Sequence, residues 1–103
     1  MNTIGTKLKL SAQRALWGHV PACLRFASIQ KNENTIEWRC IFDSEATDDD
    51  FELARMAGTE IISDFTPETK INEDIRIVPF PEKPTNLEFL VFSRHEHNYY
   101  KDE

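Results

Sequence analysis

The sequence predicts an α+β fold: a four-stranded, mostly antiparallel sheet with two helices on one face, in the order helix, strand, strand, helix, strand, strand. Three observations predict it. Two stretches, Thr6 to Trp17 and Thr47 to Phe65, carry apolar residues at helical spacing. Thr35 to Phe42 alternates with a period of two, placing Ile36, Trp38, Cys40 and Phe42 on one face. The polar segment Lys31-Asn32-Glu33-Asn34 is short enough to make its flanking strands an antiparallel hairpin.

The first helix follows from Leu8, Ala12, Ala15 and Leu16 on one side. Gly18 suits the left-handed position just past its end, and Pro21 prevents continuation. His19, at that end, is read as a cap rather than a catalyst. Cys23 to Ile29 has strand character and pairs with Thr35 to Phe42. The second helix has the stronger signal. Thr47 caps it, Asp48, Asp49 and Asp50 occupy its first turn, and Asp50 completes a shortened capping box. Phe51, Ala54, Gly58, Ile61 and Phe65 then draw one apolar stripe. A glycine inside that stripe costs about 1 kcal/mol relative to Ala, so a close approach to the sheet is expected at Gly58. Ile71 to Phe80 is a third strand, and Pro79, Pro81 and Pro84 stiffen the connection after it. Leu87 to Arg94 is a fourth strand, with a helix over Asn86 to Phe92 as the alternative. Its apolar residues on both sides predict an interior strand or one covered twice. The sheet face away from the helices is expected to be polar and open, with Arg25, Glu37, Arg39, Arg76 and Arg94 on it.

The chain has 103 residues, 40% apolar and 29% charged, which suits a single domain with a core of about 6–96 and a polar tail over 97–103. No apolar run approaches the roughly 18–20 residues that span a bilayer, and Met1 to Leu10 lacks a signal-peptide pattern, so a cytoplasmic protein without membrane partners is expected. Cys23 and Cys40 are read as buried free thiols. The formal charge of −6 is unevenly spread. Residues 1–42 sum to +4 and residues 43–103 to −10, and six of the ten residues from Asp43 to Glu52 are acidic. Such a surface repels nucleic acid and attracts basic partners.

Chemistry-bearing patterns are sparse. His95-Glu96-His97 is the one segment with metal-ligand character, and it lacks an accompanying Cys/His cluster, so no metal or other cofactor is expected. The three glycines are too scattered for a phosphate loop, and no nucleophile motif is present. Nothing in these patterns supports an enzyme, and composition and motifs alone do not assign a function. Trp17 lies off the stripe of the first helix, where either a core position or an exposed interface anchor fits.

Several segments together resemble a group of small bacterial proteins. They are Arg14-Ala15-Leu16-Trp17-Gly18 leading to Pro21-Ala22-Cys23-Leu24-Arg25, then Ile41-Phe42-Asp43, Asp48-Asp49 and Thr59-Glu60-Ile61-Ile62-Ser63-Asp64-Phe65, and finally Phe89-Leu90-Val91-Phe92-Ser93-Arg94-His95-Glu96. The chain is similar, from about Lys7 to Glu96, to small acidic immunity proteins of contact-dependent growth inhibition systems. That resemblance implies a cytoplasmic inhibitor that binds the toxic C-terminal domain of a matching toxin, often a nuclease with a basic cleft. The residues it points to are Asp43, Glu45, Asp48, Asp49, Asp50 and Glu52, expected as a mobile acidic loop and helix start, with Trp17 as a possible anchor. The competing reading is a small structural or regulatory interaction protein, pairing as a homodimer through a sheet edge or the open face.

Overall fold

The computed structural model describes residues 3–95. The order is α1 (Thr3–Leu16), β1 (Leu24–Asn32), β2 (Thr35–Phe42), α2 (Asp48–Ile62), β3 (Lys70–Ile77) and β4 (Phe89–Ser93). The strands form one sheet in the order β3-β2-β1-β4. The helices share one side of it, α1 against β1 and β4, α2 against β2 and β3. Among the described residues no helix is long and apolar enough to cross a membrane.

The hairpin forms as its spacing requires. Asn32 opposes Thr35 across a two-residue turn in which Glu33 takes φ 55. Ile29 faces Trp38 and Ala27 faces Cys40, so the alternating apolar set of β2 meets that of β1 on the helix side. Trp38, Cys40, Ile36, Ile29 and Ala27 have no accessible surface. Trp38 also donates its indole N–H to the Ala54 carbonyl, 3.1 Å away, which satisfies its polar atom inside the core. The close approach expected at Gly58 is present. A Cβ there would stand 3.3 Å from Trp38 Cδ1 and 2.7 Å from Glu73 Oε2.

The α2 cap matches its motif. Asp50 N donates to Thr47 Oγ1 and Thr47 N donates back to Asp50 Oδ2. At the other end α2 stops at Ile62, before Pro67: Asp64 N and Phe65 N turn back to the Ile61 and Ile62 carbonyls, three residues behind, and Ser63 Oγ donates to Glu60 O. Gly18 takes φ +80 as its position requires. His19 N donates to the Leu16 carbonyl, and His19 Nδ1 lies 2.8 Å from the Ala15 carbonyl, so the ring caps α1.

The sheet is mostly antiparallel, as expected: β1 pairs antiparallel with β2 and with β4, while β2 and β3, joined through α2, run parallel. Two expectations are corrected. β4 is an edge strand, because the chain leaves β3 and crosses the sheet to its far side. Its simple alternation also fails at Val91: Phe92 opposes Ala27 but Leu90 opposes Ser28, so an extra residue puts Phe89 and Phe92 on the same, helix-facing side. Finally, the face away from the helices is not open. Residues 78–88 cross it as a strap. Arg25 Nη1 donates to the Val78 carbonyl, Arg39 Nη1 to the Thr85 carbonyl, Leu87 N to Ser28 Oγ and Glu88 N to Gln30 Oε1. Arg25, Ser28 and Ile41 are fully covered there. The Arg25 guanidinium is sandwiched at 5.4 and 5.6 Å from the Phe26 and Phe80 rings.

Candidate functional site

The ends of all four strands that converge at Leu24, Phe42, Ile77 and Ser93 lie together. The α1–β1 connection and the β2–α2 connection emerge at this same end, and with them most of the acidic run. The acids do not behave alike. Asp43 is held in place: its Oδ2 accepts from Arg94 Nη2 at 2.8 Å, and its Oδ1 from the backbone N–H groups of Ser44 and Phe80. The Arg94 contact is the chief reason its carboxyl is held down at about 2, against 3.8 ordinarily; burial opposes it, and the two N–H bonds add to the lowering. Arg94 Nη1 also donates to the Ala22 carbonyl, so one guanidinium ties β4 to both connections.

Asp50 is likewise employed. Besides its cap it accepts from the Cys23 thiol at 3.0 Å. That bond, with the Thr47 cap, lowers the Asp50 carboxyl from its usual range. In return, burial first and Asp50 second push the Cys23 thiol up to about 11, so it is a protonated donor and a poor nucleophile. Cys23 is half-buried and Cys40 fully buried, both as free thiols. The expected mobile acidic loop is therefore a bonded turn, with Asp43 and Asp50 as its fastenings.

What the turn displays is the remainder. Glu45, Asp48 and Asp49 are exposed, and among the described residues no ion pair involves them. Glu52 is exposed and 3.5 Å from Arg55, one turn along the helix. The positive end of the α2 dipole stabilises the first-turn carboxylates without hiding their charge.

Trp17 is displayed as well, with 75% of its surface exposed. It borders a groove of about 560 Å³ between α1 and β4, whose apolar lining is Leu10, Leu16, Trp17, Val20, Val91 and Phe92. Leu10 and Val20 are 57% and 43% exposed. The sequence reading missed this groove. Its signal was present in apolar residues off the α1 stripe, Leu10 and Trp17, and in Val20 within the connection. It became visible only once β4 proved to be the neighbouring edge.

The segments carrying the resemblance turn out to be fastened to one another. Arg14 reaches Asp64 at 2.8 Å, Ser11 donates to the same carboxylate at 2.6 Å, and Arg94 reaches Asp43. His19 Nε2 lies 3.7 Å from Glu60. These contacts clamp α1 to α2 and β4 to the acidic turn. Among the described residues no group of three His, Cys, Asp or Glu is placed to hold a metal ion, and Glu96 and His97 of the His95 segment lie outside the described residues, as does the expected tail.

A comparison with curated proteins finds no match. A family model for the MafI2 immunity protein matches residues 5–96, which spans every element and every fastening described above. The chain belongs to the MafI2 immunity protein family, and is thereby a toxin-neutralising protein whose partner is a cognate toxin.

Proposed function

We propose that this immunity protein acts from the cytoplasm against a toxin delivered by contact-dependent growth inhibition, and that the toxin domain is a nuclease whose basic cleft meets the acidic rim. One observation carries the reading: Glu45, Asp48 and Asp49 stand exposed and unpaired at the end where Asp43 and Asp50 are consumed in fixing the turn. Fixed negative charge accelerates encounter with a positive cleft and discriminates against neutral or acidic partners. The described groups supply no activated nucleophile, so inhibition proceeds by occupying the toxin surface. In this reading Glu45, Asp48, Asp49 and Glu52 face the toxin, while Asp43 and Asp50 position them.

Two experiments test this. Co-expression of this chain rescues growth of cells that make the C-terminal domain of its cognate toxin, and does not rescue cells that make unrelated toxin domains. In stopped-flow mixing, the association rate falls steeply with added salt, and a Glu45→Gln, Asp48→Asn, Asp49→Asn variant associates at least ~10-fold more slowly at low salt without losing thermal stability. An unchanged association rate in that variant refutes the acidic rim.

A further inference from the structure

We propose that β3 pairs with the β3 of a second copy of this chain, antiparallel about a two-fold axis at Ile75, so that two chains share one continuous sheet. This pairing is independent of toxin binding and uses the sheet edge opposite β4.

β3 is the outermost strand on its side of the sheet. Lys70 N donates to the Asn34 carbonyl and Val78 N to the Phe42 carbonyl, both at the β2 side. Alternate residues of a parallel strand turn towards the neighbour, so Lys70, Asn72, Asp74, Arg76 and Val78 face β2. Ile71, Glu73, Ile75 and Ile77 therefore point their N–H and C=O groups outward. Among the described residues no hydrogen bond reaches those outward groups. Glu73 and Ile77 are exposed, Ile77 with 49% of its surface. Such an edge is a template for a further strand, and charged side chains are the usual guard against one.

Here the charges permit a second copy and choose its register. Two identical edges related by a two-fold axis perpendicular to the sheet run antiparallel, with outward residues opposite outward residues. Centring the pair on Glu73 sets Glu73 against Glu73 and Lys70 against Arg76. Centring it on Asp74 opposes two aspartates, and on Arg76 two arginines. Like charges directly opposite are destabilising. Centres at either end of the strand leave too short an overlap. Centred on Ile75, Asp74 meets Arg76 on both sides of the axis, in the non-hydrogen-bonded pairs where side chains stand closest. Asp74 is already held for this by Arg39 Nε at 3.0 Å, and it accepts from Arg76 Nε of its own strand at 2.9 Å. On the helix side Ile75 meets its own copy, and Ile77 lies diagonal to that second Ile75. A register centred on Asn72 also joins opposite charges, Lys70 with Asp74, but leaves Ile77 beyond the ladder. Pro79, with no N–H to give, ends the favoured ladder past Ile77.

Sedimentation of the full chain at about 100 μM in about 0.15 M salt tests the pairing, with amide exchange followed by NMR across a dilution series. The wild type sediments as a dimer, and the amides of Glu73, Ile75 and Ile77 exchange at least ~5-fold more slowly at the high concentration than at the low one. Arg76→Glu sets an acid against Asp74 of the second copy and weakens the dimer at least ~10-fold. Lys70→Glu makes the same change in net charge outside the overlap and leaves the dimer within about twofold. Thermal melting checks that both variants fold; if Arg76→Glu does not, the wild-type amide series decides. A wild type that stays monomeric at this concentration overturns the proposal. A dimer that Lys70→Glu dissolves, with protection at Ile71 and Glu73 but not at Ile75 and Ile77, overturns it in favour of the register centred on Asn72. A dimer without concentration-dependent protection in β3 uses another surface and overturns it as well.

Discussion

Asp43 is the acid whose replacement separates structure from recognition. Asp43→Asn keeps the size of the side chain and its capacity to accept from Ser44 and Phe80, but removes the charge that faces Arg94 at 2.8 Å. A carboxyl held at about 2 in the folded chain and at 3.8 when unconstrained corresponds to roughly 2.5 kcal/mol at neutral pH. The side chains of Asp43 and Arg94 are 15% and 26% exposed, so solvent screening trims this to roughly 1–2 kcal/mol. The sign follows from the direction. The folded state binds the proton less readily than the unfolded one, so the contribution is complete above about pH 5, near half at pH 3, and lost as the pH falls through 2. Urea unfolding at pH 7 and pH 3 measures it. Asp43→Asn lowers the midpoint at pH 7 with an unchanged denaturant slope, and the gap to wild type narrows by about half at pH 3. Its association rate with the toxin domain stays within about twofold of wild type. Equal stability at pH 7, or a gap that persists undiminished at pH 3, refutes the account of Asp43 as a charge-paired fastening. A tenfold slower association with an intact fold refutes its exclusion from the displayed rim.

Three further outcomes follow from the packing. Thr47→Ala removes one half of the reciprocal cap and lowers unfolding free energy by about 1 kcal/mol in urea titration. Gly58→Ala gains helix propensity, yet its Cβ stands 3.3 Å from an indole that is fully buried and hydrogen-bonded to Ala54, so the melting temperature falls, with a net loss of about 1 kcal/mol. Cys23 alkylates slowly at pH 8 because its thiol stays protonated up to about 11, and Asp50→Asn, which removes a nearby charge and weakens the acceptor, speeds iodoacetamide labelling several-fold by mass spectrometry.

Much of the fold was legible because it is written locally. The period of β2 placed Ile36, Trp38, Cys40 and Phe42 together, the Thr47–Asp50 pair marked the start of α2, and Gly58 announced a close contact with residues distant in sequence. What was illegible depends on partners remote in sequence. Arg25 reads by its charge as a solvent-facing cation, yet a register shift between Leu24 and Phe26 re-aims it, and a proline-bearing connection more than fifty residues later covers it and supplies the Val78 carbonyl. β4 is apolar on both sides, which reads as an interior strand. Its helix-facing side is instead, through Phe92, a wall of the groove beside α1, and a bulge at Val91 redistributes its faces. The candidate site was half visible. A run of six acids reads as one patch, because composition assigns each carboxylate the same charge. Only geometry divides Asp43 and Asp50, which accept hydrogen bonds inward, from Glu45, Asp48 and Asp49, which keep their charge for solvent.

That division bears on how recognition is organised. Steering needs charge that is fixed in place, since a mobile acidic loop averages its field and loses conformational entropy on binding. Here the acids used internally secure the orientation of the acids displayed. The same Arg94 guanidinium that holds Asp43 also holds Ala22, in the connection that carries Val20 into the groove wall. The acidic turn and the connection that carries Val20 are thus held together through one side chain. Arg94→Met should therefore slow association with the toxin domain, because the turn that orients the displayed acids loosens, as well as lower stability. A variant with normal association and lowered stability would instead show that the turn is rigid without it, and that Arg94 serves the fold alone.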